Sequence, residues 1–111
     1  MSARRNDIFL CPFPFSDFSE EKIRPVVVIS SNNYNSNEPD AVVCGITSNG
    51  GNPHALPIRK SDMEHGNLYE GSCARADMVG RVSQQMLGHR VGKVREEFRV
   101  RLIKKTLEII G

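Results

Sequence analysis

Tryptophan is absent from this chain, and phenylalanine and tyrosine bring the aromatic share to only 6%. A surface that stacks a long run of nucleobases needs more rings, so an extensive aromatic platform is not expected. Cysteine is scarce too. Cys11, Cys44 and Cys73 are odd in number, widely spaced and without a C-x-x-C pair. Each lies in or beside an apolar run, which reads as small buried side chains in a reducing compartment, not a disulfide framework or a metal site. His54, His65 and His89 are equally scattered, and no metal or cofactor is expected. No apolar run approaches membrane-spanning length, and residues 1–5 lead into no signal-type apolar core. A cytoplasmic protein with no membrane partner is expected. An excess of one charge is also missing: 15 Lys and Arg against 13 Asp and Glu leave +2, which permits nucleic-acid binding without arguing for it.

What is present is a chain of 111 residues, enough for one domain over 1–111 and too short for two. It reads as strands first and a helix last. Residues 7–11 form a first strand, which Pro12 and Pro14 deprive of further ladder donors; residues 13–23 follow as a long loop. A second strand spans 25–31, where the β-branched run Val26-Val27-Val28-Ile29 indicates burial on both faces. A polar stretch with one helical turn, stopped by Pro39, leads to a third buried strand at 41–46.

The run Thr47-Ser48-Asn49-Gly50-Gly51-Asn52-Pro53 forms a turn, and a fourth strand covers 54–59. Residues 61–70 read as a polar connection. Residues 72–78 and 79–83 read as two strand pieces with a bulge at Gly80, and Ser83 caps a short helical turn. Residues 90–94 make a last edge strand. The clearest helix is 95–110, with Phe98, Leu102, Ile103, Thr106, Leu107 and Ile110 on one apolar face. The fold class is therefore mainly β with a C-terminal helix, a small, strongly bent antiparallel barrel or sandwich closed by that helix.

Three places carry candidate chemistry. Pro25 biases Arg24 toward extended backbone, so its permanently charged, planar fork stands at a reproducible angle, as a phosphate ligand requires. Alone, that arginine equally reads as a solvated loop-end charge. Thr47 and Ser48 leave a buried strand for a Gly-rich turn, where their hydroxyls and the Asn49-Gly50-Gly51 backbone can approach a phosphate. An ordinary turn cap has the same composition. Arg75 and Asp77, two apart in an extended segment, share one face. The carboxylate beside the arginine stays ionised and can serve as a general base, or the two form a plain surface ion pair.

The order of these elements is more specific than any one of them. Asn6-Asp7-Ile8-Phe9-Leu10-Cys11-Pro12-Phe13-Pro14-Phe15-Ser16-Asp17 comes first, then Arg24-Pro25-Val26-Val27-Val28-Ile29-Ser30, Gly45-Ile46-Thr47-Ser48, Arg75-Ala76-Asp77 and a terminal helix. In this the chain resembles the MazF/PemK family of toxin endoribonucleases over nearly its whole length. The resemblance implies an SH3-like barrel of the CcdB/PemK type. It also implies the toxin of a type II toxin–antitoxin pair, a homodimer that cuts single-stranded RNA without a metal and is held by a cognate antitoxin. Catalytic roles then fall on Arg24, Thr47, Arg75 and Asp77, and substrate-binding roles on Arg24, Ser48 and Asn49. The glycine usual before the first-strand acid is Asn6 here, a departure expected to affect only the turn. The first-loop histidine of some members has no counterpart, and Ser19-Glu20-Glu21 stand in that loop instead. Two other readings are a CcdB-like toxin that grips a protein such as gyrase, and a non-catalytic RNA-binding barrel. The retained arginine, threonine and Arg-x-Asp set speaks against the first, and the shortage of exposed aromatics against the second.

Overall fold

A computed structural model of the protein describes residues 2–13, 22–48 and 50–111. Among these residues run β1 (Asp7–Phe13), β2 (Lys22–Val28), α1 (Asn32–Asn37), β3 (Asp40–Thr47), β4 (Ala55–Pro57), β5 (Met63–Gly66), β6 (Cys73–Ser83), β7 (Arg90–Val94) and α2 (Glu96–Ile110). The strands form one antiparallel sheet in the order β4-β6-β3-β2-β1-β7-β5. Residues of both edge strands, β4 and β5, line one cavity, so the sheet curls until its two ends face each other. That curl is the strongly bent β architecture with a C-terminal helix read from the sequence.

Alternation along the strands splits the core in two. Ile8, Val27, Cys44, Ile46, Ala74 and Ala76 point to the side that receives α2. Cys11, Phe13, Val26, Val28, Ala41 and Val43 pack on the other. The helix is seated by Phe98 and Leu102, four residues apart and both fully buried. Each contributes roughly 1.5–3 kcal/mol of burial. At its start, Arg99 donates to Glu96 at 2.6 Å, and this bond, with a further one from Asn6, holds the Glu96 carboxyl at about 2. An acid in the first turn also suits the helix dipole.

Asn6 itself takes φ +77°, the left-handed region that glycine favours and asparagine tolerates. Its amide donates to Glu96 at 3.0 Å, so this residue, expected to affect only the turn, also ties the start of β1 to α2.

Several boundaries differ from the sequence reading. β1 runs on through Pro12 to Phe13, and β2 begins at Lys22. Pro12 in β1 and Pro25 in β2 are tolerated because each lies past the last rung on one flank: β7 pairs only as far as Phe9, and β3 pairs only from Val26. The connection at 61–70 contains β5, while β4 is shorter than expected. β7 is no edge, since β1 and β5 flank it. Of the helix's expected apolar face, Leu107 and Ile110 are exposed. Segment 72–83 is one strand, β6, and its irregularity is not at Gly80. A Cβ there would lie 3.0 Å from the Phe13 ring, so Gly80 serves close packing.

Candidate active site

The β2–β3 ladder registers Val26 opposite Gly45 and stops there. Continued by two residues, the same register sets Arg24 alongside Thr47, at the splayed end of the two strands. Thr47 is in turn the rung partner of Cys73 on β6, and the residue two beyond Cys73 is Arg75. Strand alternation then puts Arg24, Gly45, Thr47 and Arg75 on one sheet face. Arg24 and Arg75 lie two strand spacings across and two residues along, about 12 Å between backbones, a gap their long side chains span. Gly45, which carries no side chain and is buried, lies between them on the same face. Arg24 and Thr47 are half-buried and Ser48 is exposed. Asn49 lies outside the described residues, as do the Pro14–Asp17 part of the first motif and Ser19, Glu20 and Glu21.

Arg75 and Asp77 form a bidentate ion pair on this face. The guanidinium donates twice to the carboxylate, from Nε at 2.8 Å and from a terminal nitrogen at 2.7 Å. This bond holds the Asp77 carboxyl below its usual range, with the charge of His54 acting in the same direction, and raises Arg75 further. Asp77 is the more open of the two, at 28% side-chain exposure against 14%.

The pair stands on a bulge. Between the rungs Cys44–Val79 and Ile46–Ala74, β3 advances two residues while β6 advances five. Residues 75–78 therefore leave the β3–β6 ladder, as bulges do where a side chain must be re-aimed, while Arg75 keeps its rung with Ala55 on β4. Their backbone groups are satisfied from elsewhere. The Cys44 thiol donates to the Arg75 carbonyl at 2.8 Å, the Thr106 hydroxyl of α2 to the Ala76 carbonyl at 2.8 Å, and the Ala76 amide to the His54 carbonyl at 2.9 Å. Burial pushes the Cys44 thiol up to about 12, aided by the Asp77 charge and opposed by Arg75. It stays protonated at neutral pH and keeps the hydrogen it donates.

Cys44, His54 and Thr106 were not singled out for this site by the sequence. Cys44 read as a core residue, His54 as a scattered histidine and Thr106 as part of an apolar helix face. The thirty-odd residues separating Cys44 and Thr106 from their carbonyl partners leave no local signal. Among the described residues no three His, Cys, Asp or Glu side chains gather to hold a metal ion. No helix among them is long and apolar enough to cross a membrane.

Residues 4–110 match the family model described as PemK-like, MazF-like toxin of type II toxin–antitoxin systems. The chain belongs to this family. Among curated proteins none matches it. Solved structures repeat the fold at low identity. MazF from Deinococcus radiodurans superposes with a TM-score of 0.78 at 16% identity, over 100% of this chain and 98% of that one. An endoribonuclease from a mycobacterial species gives 0.71 at 20% identity, over 98% and 90%. A mycobacterial endoribonuclease in complex with its cognate antitoxin gives 0.67 at 20%, over 97% and 91%.

Proposed function

We propose that this toxin-family chain is a cytoplasmic, metal-independent endoribonuclease acting on single-stranded RNA. The observation that supports the reading is the single sheet face that strand register gives to Arg24, Thr47 and the Arg75–Asp77 pair. Three positive or hydroxyl donors and one carboxylate suit a phosphodiester whose own 2′-hydroxyl is the nucleophile. The 2′-oxygen attacks the adjacent phosphorus and the bond from phosphorus to the 5′-oxygen breaks. A 2′,3′-cyclic phosphate and a 5′-hydroxyl result. Asp77 takes the proton from the 2′-hydroxyl. Arg24 stabilises the charge that grows on the phosphorane, with Thr47 and Ser48 as further donors and Asn49 contributing to substrate binding.

Arg75 has two successive duties. In the free protein it orients Asp77 and depresses its basicity. A bound phosphate competes for its donors, and as the pair loosens the carboxylate regains proton affinity where the reaction needs a base. Arginine scarcely releases a proton, so Arg75 acts mainly as charge stabiliser, and the departing 5′-oxygen takes its proton from Arg75 or from water.

The test is Arg24→Ala. A half-buried strand-end arginine contributes little to the core, so the variant folds, and loss of one phosphate donor lowers turnover on the order of a hundredfold or more. Near-normal cleavage by folded variant would remove Arg24 from the machinery and favour a toxin that works by gripping a protein. A homodimer with a shared RNA groove is part of this proposal, as is an antitoxin whose acidic segment occupies that groove. Light scattering reads the first, and competition between antitoxin and RNA, weakened by salt, reads the second.

A further inference from the structure

Where the two ends of the sheet face each other, β4, β5 and residues 67–73 enclose a cavity of about 720 Å³. Its inner side is apolar: Ile58, Met63 and Leu68 also pack against the core beneath α2. Its lining includes Tyr69, 92% exposed in a chain with two tyrosines and no tryptophan. This ring does not hang on a loose loop. The buried Ser72 donates to the Tyr69 carbonyl from both its hydroxyl, at 2.7 Å, and its amide, at 3.1 Å. Gly71 turns the chain between them at φ +85°. An aromatic side chain held out in water from an anchored backbone, beside an apolar wall, is an arrangement that folding alone does not require.

The cavity adjoins the candidate active site through the ladder. Pro57 and Cys73 are paired and both line it. Cys73 is also the rung partner of Thr47, and Arg75 lies two residues further along β6. Two residues of strand span about 6.6 Å, a step of the order of one nucleotide in an extended strand. A phosphate held at Arg75 therefore sets a neighbouring nucleotide about as far along β6 as Cys73, a residue of the cavity lining. Single-stranded RNA is read by splaying out a base, stacking it on an aromatic ring and hydrogen-bonding its edge. Tyr69 offers the ring, and Asn67 and Glu70 offer edge partners of both kinds. Arg59 and Lys60 in the same lining supply charge for the backbone.

We propose that this cavity is a nucleobase subsite, with Tyr69 as its stacking ring, for a nucleotide adjoining the cut. The proposal rests on the ribonuclease reading of the Arg24–Asp77 face and assigns it a determinant of sequence preference. Two measurements test it. On a randomised RNA pool, Tyr69→Ala lowers cleavage roughly tenfold to a hundredfold and flattens the base preference at one position beside the cut, whereas Tyr69→Phe keeps both. In a Tyr34→Phe background Tyr69 is the only tyrosine, and a short RNA methylated at every 2′-oxygen, which cannot be cut, quenches its emission saturably. Cleavage by Tyr69→Ala at the normal rate with the normal preference overturns the subsite, as does absence of saturable quenching. Saturable quenching by a protein that cuts no RNA overturns the ribonuclease reading and leaves base binding standing.

Discussion

Thr106→Val isolates the contact by which the terminal helix holds the bulge. The two side chains have nearly the same shape, so packing is preserved and only the hydroxyl is lost. That hydroxyl donates at 2.8 Å to the carbonyl of Ala76, a residue with no exposed surface. In most helices a threonine hydroxyl turns back to its own backbone; here it reaches across to β6. Leaving a buried carbonyl without its donor costs about 1–3 kcal/mol. The cost can be taken in two ways. If the bulge stays in place, stability falls by that amount, and a domain of this size loses about 4 °C of melting temperature per kcal/mol. If the bulge relaxes, Arg75 and Asp77 move with Ala76, and a displacement of about 1 Å at reacting groups is worth on the order of a hundredfold in rate. The account predicts both a lower Tm and a kcat reduced well below the normal value at a temperature where the variant remains folded. Thr106→Ser restores both. Calorimetry beside single-turnover cleavage decides the matter. A variant with a lowered Tm and unchanged kcat would refute the idea that the helix sets the geometry of the pair.

Asp77→Asn keeps the shape of the site but removes the base, so turnover falls by two or more orders of magnitude while KM changes little. One pH effect follows from the two depressed carboxyls. The Arg75–Asp77 and Arg99–Glu96 pairs contribute stability above the unfolded carboxyl values, and lose it as pH falls through the lower folded ones, about 2 for Glu96. Acid titration of Glu96→Gln followed by circular dichroism therefore shows a shallower loss of stability below the ordinary glutamate value than the parent does.

The buried strands were legible because their chemistry is local. Three consecutive β-branched residues in β2 and the apolar run of β3 specify strands buried on both faces, and the Phe98–Leu102 spacing specifies the seated helix. β5 was not legible: Met63-Glu64-His65-Gly66 is largely exposed and has no alternation, and backbone pairing to β7 holds it. The bulge was misread for a related reason. Glycine is the usual local signal, and Gly80 offered it, but the bulged segment contains neither glycine nor proline and is fixed by Cys44, His54 and Thr106 from distant elements. The convergence of Arg24, Thr47 and Arg75 had a sequence signal only through resemblance, because strand register brings them together and register is not written within any one strand. Exposure of Leu107 and Ile110 was equally hidden, since helical periodicity names a face without saying how far the sheet extends beneath it.

The central claim is that the RNA's own 2′-hydroxyl is the nucleophile at a site built from Arg24 and the Arg75–Asp77 pair. The direct measurement gives the purified protein a short RNA with a mapped cut site in EDTA, beside the same RNA carrying one 2′-deoxy residue 5′ to that bond. The account predicts cleavage of the first to a 2′,3′-cyclic phosphate and a 5′-hydroxyl, and no cleavage of the second at that bond. Cleavage of the deoxy-substituted bond, or a strict requirement for added magnesium, would contradict it.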